Sequence, residues 1–155
     1  MGLLLEEGAS LEAISKFSYT PLHTAASRGH TRTAELLLVK GALIETKADI
    51  SQTPLHTATK GGHTHTVELL LGRGASLGAM AMSGETPLHL AAGNGRTDTV
   101  ELLLSKGAPI ESKGYFGCTP LHDAASKGSF RTVELLLGKG ASIEARDRFQ
   151  MTPLH

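Results

Sequence analysis

Thr20-Pro21-Leu22-His23 returns four times along the chain, at 53–56, 86–89, 119–122 and 152–155, and the threonines are 33 residues apart each time. A fixed period of this length marks a repeat array, in which each copy is one small supersecondary unit that buries its apolar surface against its neighbours. Every other residue can be placed by its distance from the threonine. Four whole units occupy 20–52, 53–85, 86–118 and 119–151. Residues 1–19 match the second half of a unit: Leu3-Leu4-Leu5, Gly8-Ala9 and Leu11-Glu12 precede Leu36-Leu37-Leu38, Gly41-Ala42 and Ile44-Glu45 by one period. Residues 152–155 open a further unit. The whole reads as one repeat domain, a fragment of a longer array.

Within a unit the pattern predicts helix, turn, helix and extended loop. Thr20 is suited to cap a helix, since its hydroxyl can accept a free backbone N–H. Pro21 fits the first helical position, where an N–H is not needed. Leu22, Ala25 and Ala26 share one helical face, and Gly29 ends the helix. A second helix is expected from about Thr31 to Val39, followed by Lys40 at its negative end and Gly41. Three consecutive leucines, each turned about 100° from the last, cover too much of a helix for a single apolar stripe. Such a helix needs apolar neighbours on more than one side. Turn residues such as Gly114, Gly117 and Ser83-Gly84 predict a hairpin-like loop before each threonine.

Composition narrows the function. Fifteen Lys and Arg balance fifteen Asp and Glu, which argues against a broad basic face for nucleic acid. Aromatic residues are 4 % and tryptophan is absent, tolerable where small modules stack. A single cysteine, Cys118, forms no internal disulfide, and no Cys pair is available for a metal. The Leu3-Leu4-Leu5 run is too short for a signal peptide and is followed by Glu6-Glu7. The Met1-Gly2 start lacks the Ser or Thr wanted at position 6 for myristoylation, and no apolar run is long enough to span a membrane. The expectation is an intracellular protein, cytoplasmic or nuclear.

The motif Thr-Pro-Leu-His-x-Ala-Ala-x-x-Gly, followed by Val-Glu-Leu-Leu-Leu-x-x-Gly-Ala-x-Ile-Glu, resembles the ankyrin repeat over essentially the whole chain. The resemblance implies an all-α solenoid of stacked antiparallel helix pairs joined by hairpin loops. It implies a non-enzymatic scaffold that binds a protein partner on the concave face, between hairpin tips and first helices. For the motif residues Thr20, His23, Thr53, His56, Thr86, His89, Thr119 and His122 it implies a buried histidine, bonded to the threonine and to the next unit's backbone. Several positions depart from the pattern. The usual hairpin Asp is present only as Asp147. The usual Gly two before the threonine is Gly84 and Gly117, but Ser18, Ser51 and Gln150 elsewhere. Thr59 replaces Ala26, Ala92 and Ala125, and Gly78 replaces the acid after the branched apolar residue. Unit 53–85 carries six glycines and is expected to be the soft point of the stack.

Chemistry has few candidates. His63-x-His65 lies near His56, but residues two apart on a helix diverge and no cluster completes a metal site. Cys118 with His122-Asp123 resembles a hydrolase constellation only in composition, since the histidine belongs to the repeat motif. No cofactor or metal is implied. Five of the six aromatics lie in the loops: Phe17, Tyr19, Tyr115, Phe116 and Phe149. They are either anchors for a partner or packing along the hairpin row against Ile50 and Met151. Around them the tips vary, with Asp49, Met82 and Arg148. The first helices vary too, at Arg28, Lys60, Asn94 and Lys127. These thirteen tip and helix residues, Phe17 to Phe149 with Ile50 included, form the candidate partner surface. A mild basic bias points to a partner with acidic character. A structural spacer within a larger protein is the competing reading, and uncapped ends are expected to leave the chain marginal or prone to end-to-end self-association.

Overall fold

In each unit the backbone φ/ψ of the motif threonine is extended, and the helix begins at the proline after it. The structure, a computed structural model, describes residues 10–154. Leu3-Leu4-Leu5, Gly8-Ala9 and His155, used above to read the incomplete units, lie outside the described residues. Among the described residues eight α-helices stand in four pairs: α1 Pro21–Ser27 with α2 Thr31–Val39, α3 Pro54–Gly61 with α4 Thr64–Gly72, α5 Pro87–Gly93 with α6 Thr97–Ser105, and α7 Pro120–Ser126 with α8 Phe130–Gly138. A short 3₁₀ turn lies at Asp49–Ser51, and no strand is present among the described residues.

Helices of seven to nine residues do not hold in isolation. Their stability comes from two rows: α1, α3, α5 and α7 pack in sequence, as do α2, α4, α6 and α8, and each pair packs internally. Leu22, Leu55, Leu88 and Leu121 from the first row meet Leu37, Leu70, Leu103 and Leu136 from the second, and all eight are at most 1 % exposed. In each triple leucine the middle residue is buried deepest. Its neighbours, such as Leu69 and Leu71, pack half-buried against the cluster. The wide apolar arc serves units on both sides. Thr59, the polar departure from alanine, is fully buried, and its hydroxyl donates to the His56 carbonyl at 2.9 Å. The group is satisfied inside its own helix, so the departure leaves no orphan donor.

The loops close by short backbone bonds, such as Ala81 N–H to the Glu85 carbonyl and Gly114 N–H to the Cys118 carbonyl. One backbone bond joins each tip to the next: Asp49 N–H to Phe17, Met82 N–H to Ile50, Tyr115 N–H to Ser83, and Arg148 N–H to Phe116. The turn needs a left-handed residue two before the threonine. Gly84 and Gly117 supply it, whereas Ser18, Ser51 and Gln150 take φ of 57–62°. Ile50 does the same at φ 57°, which is costlier for a β-branched residue.

A second cross-unit bond explains Gly78. Glu12, Glu45 and Glu111 accept from the backbone N–H of Leu43, Ser76 and Ser142, each 31 residues on. Gly78 occupies the equivalent place, and the residue 31 positions after it is Pro109, which has no N–H to donate. Acceptor and donor are lost together. The soft-unit expectation is also narrowed: Gly62, Gly74 and Gly84 have positive φ, where glycine is the favoured residue. Only Gly61, Gly72 and Gly78 carry an entropic cost without that return.

Relief of backbone strain should be measurable. Ser51→Gly and Gln150→Gly should each raise the unfolding free energy by about 0.5–1 kcal/mol in urea titrations. Gly84→Ala should lower it by more than about 1 kcal/mol, since its new Cβ would stand 2.6 Å from the Tyr115 backbone nitrogen.

Candidate functional site

The motif histidines are committed on both ring nitrogens. His23, His56, His89 and His122 place Nδ1 2.8–2.9 Å from the hydroxyl of Thr20, Thr53, Thr86 and Thr119. The same nitrogen accepts the threonine backbone N–H at 3.1–3.3 Å. Nε2 reaches the carbonyl of Gln52, Glu85, Cys118 or Met151 in the next loop, at 3.0–3.2 Å. A backbone N–H can only donate and a carbonyl can only accept. The ring must therefore be neutral, with its proton on Nε2. Burial holds His23, His56 and His89 below the ordinary histidine value, against a smaller upward pull from the backbone carbonyls. Their stabilisation is fully present above about pH 6.5, and is lost as pH falls towards the folded values.

Cys118, His122 and Asp123 do not form a catalytic group. His122 is occupied as above. Burial, then the charges of Asp123 and Asp147, push the Cys118 thiol up, the reverse of what a nucleophile needs. His63 donates through Nε2 to the Ser27 carbonyl at 3.0 Å, and its ring fills the space beside Gly29 and Gly61. No group of three metal-ligating side chains occurs among the described residues, and no helix among them is long and apolar enough to cross a membrane.

The expected partner residues fall into two places. Phe17, Asp49, Ile50, Met82, Tyr115, Phe116, Arg148 and Phe149 stand exposed along the hairpin row. Tyr115 meets Phe116 edge-on at 5.1 Å, and Phe116 leans on Phe149 at 6.0 Å, yet the three rings remain 50–67 % exposed. Tyr19 differs: it is half-buried and stacked on the His23 ring at 5.5 Å. Arg28, Asn94 and Lys127 are the C-terminal caps of α1, α5 and α7, and Lys60 lies in the last turn of α3. A first helix is about 10 Å long, so these four sit at the end remote from the tips. The structure does not bring the two sets together.

The family model for ankyrin repeats (3 copies) matches residues 1–81 and 76–147. The chain belongs to the ankyrin-repeat family. No curated protein matches it. Ankyrin repeats generally mediate protein–protein interaction, and they are typically non-enzymatic modules. In this ankyrin chain several contacts escaped the sequence reading. Thr31 bonds Thr66 at 2.7 Å, Thr64 bonds Thr99 at 3.1 Å and Thr97 bonds Thr132 at 2.9 Å, a hydroxyl ladder along the second helices. Its signal was the recurring Thr-x-Thr at 31–33, 64–66 and 97–99. Phe130, the one aromatic outside the loops, is 70 % exposed at the start of α8.

Asp123 is the strained ionisable group of the stack. It occupies the position held by Thr24, Thr57 and Leu90 in the other units, with its Cβ 3.4 Å from where a Cβ on Gly93 would lie. Burial, then the charge of Glu85, push its carboxyl up to about 7, against a pull from Lys127. Its contribution is fully present below the ordinary carboxyl value of 3.8 and is lost as pH rises from there through about 7. Asp123→Asn should therefore raise the melting temperature at pH 8 and change it little at pH 4.

Proposed function

We propose that this chain is a non-enzymatic scaffold that grips a protein partner along its hairpin row, with Tyr115, Phe116 and Phe149 as anchors. One observation carries the reading. Three aromatic rings from neighbouring tips make an edge-to-face and tilted cluster while keeping half or more of their surface in water. Ile50, Met82 and Phe17 continue the apolar row at 55 %, 72 % and 61 % exposure. Single exposed apolar residues need no explanation, but a contiguous row does. Aromatic side chains give large contact area with little rotamer entropy to lose, which is why they dominate interface energetics. The Phe116–Arg148 backbone bond holds two of these tips in register before any partner arrives, and such preorganisation lowers the entropic cost of binding. The mechanism is complementarity on a preformed surface, with no chemical step.

The test is affinity capture with the purified chain beside a Tyr115→Ala, Phe116→Ala, Phe149→Ala version. Because the rings are exposed, helix content by circular dichroism should be unchanged and stability should fall by no more than about 1–2 kcal/mol. Proteins retained by the first and lost by the second are expected. Equal capture by both would contradict the assignment of these rings as anchors.

A further inference from the structure

The neutral charge of the chain conceals a separation. The turn between first and second helices carries Arg28, Arg32, Lys60, Arg96, Lys127 and Arg131, all exposed, and only one acid, Asp98. Nine cations and fourteen acids remain for the rest of the sequence. Among the described residues elsewhere, several of these charges are held within the stack. Arg73, Lys106 and Lys139 meet Glu35, Glu68 and Glu101 across units at 3.0–3.9 Å. Glu12, Glu45 and Glu111 hold backbone N–H groups. None of the six turn cations forms an ion pair among the described residues.

The backbone reinforces the same edge. α2, α4, α6 and α8 all begin there, and none of their four N-caps makes a side-chain capping bond. Each adds the positive end of its helix dipole to the edge that carries the basic side chains. The edge is also fixed in spacing. The threonine ladder ties the second helices together, and Arg96 donates through Nε to the Lys60 carbonyl at 3.2 Å while its stem lies over Gly62. Open grooves run between these turns, one lined by Gly62, Arg96, Thr97, Phe130 and Arg131.

We infer that this turn edge is a second docking surface, separate from the hairpin row, and that its occupant is an extended acidic segment of a protein partner. The inference rests on the reading of the chain as a protein-binding scaffold and names a site and a partner chemistry for it. Stacked helices stand about 8–10 Å apart, so four turns span about 30 Å. An extended chain rises about 3.3 Å per residue and turns alternate side chains to one side. About nine residues span the row in length, and acids at alternate positions, about 6.6 Å apart, place at least one carboxylate within reach of the flexible cation or cations of each turn. Phe130 adds an apolar contact at the fourth-unit end. Nucleic acid fits worse, because duplex DNA carries one charge per about 1.7 Å, far denser than six cations over this length, and the acidic remainder of the surface would repel it. Asp98 sets the polarity of the match, since an acid opposite it is repelled.

The probe is a fluorescein-labelled nine-residue peptide of alternating Glu and Ser ending in Phe, titrated with the 155-residue chain at low salt and read by anisotropy. Binding should weaken at least about tenfold in Arg28→Glu, Lys127→Glu, and should weaken again as salt is raised. Asp98→Asn should tighten it severalfold. The Tyr115→Ala, Phe116→Ala, Phe149→Ala version should bind the peptide as the parent does, which keeps failure at this edge distinct from failure at the hairpin row. Absence of binding, or equal binding by the charge-reversed variant and the parent, would overturn the inference. So would tighter binding of a single-stranded oligonucleotide, or of vesicles rich in anionic lipid, than of the peptide.

Discussion

A neutral imidazole with its proton on Nε2 is the constraint on which the stack depends. The ring satisfies the threonine at the start of its own helix and a carbonyl 29 residues later, in the next loop. One side chain thus caps a helix and sets the register of the following unit. Histidine here takes the place that Glu or Gln holds in the usual capping box, with the difference that a second nitrogen remains for the neighbour. No carboxylate could do both, since it has no proton to give to a carbonyl. Burial then protects the arrangement by disfavouring the charged ring at His23, His56 and His89.

Around that frame, the surfaces divide by type. Polar bonds that join units are repeated: threonine to threonine, glutamate to backbone, and cation to Glu along the second helices. They leave two sets of residues whose side chains stay largely exposed. One is the apolar row at the hairpin tips, and the other is the basic edge at the opposite end of the first helices. The two proposed surfaces lie about one short helix apart, a separation that suits them to hold different parts of one partner or two partners at once. The frame fixes where these residues stand, and their identities vary freely from unit to unit.

Features confined to one unit were legible in the sequence. The Thr-Pro-Leu-His starts, the triple leucines and the terminating glycines placed a helix from Pro21 ended by Gly29 and a second from about Thr31 to Val39, where the structure has Pro21–Ser27 and Thr31–Val39. What the sequence did not show was pairing across units. Gly78 reads alone as a defect; only its relation to Pro109 makes it neutral. Tyr19 reads as a loop aromatic like Phe17, yet it stacks on His23. Arg28, Lys60, Asn94 and Lys127 were grouped with the tips because they share the first helix. Helix length separates them from the tips, and that is a property of geometry more than of residue type. The charge separation was hidden for the same reason: composition gives a sum, and a sum of zero carries no information on position.

The most direct test is the protonation state of the motif histidines, read by nitrogen-15 NMR of the imidazole rings across pH. The account predicts that His23, His56 and His89 stay neutral, with the proton on Nε2, at pH values where free histidine is already charged, and that they gain a proton only as the fold is lost. Ordinary titration of these rings near 6.5 in the folded protein, or a proton on Nδ1, would contradict it.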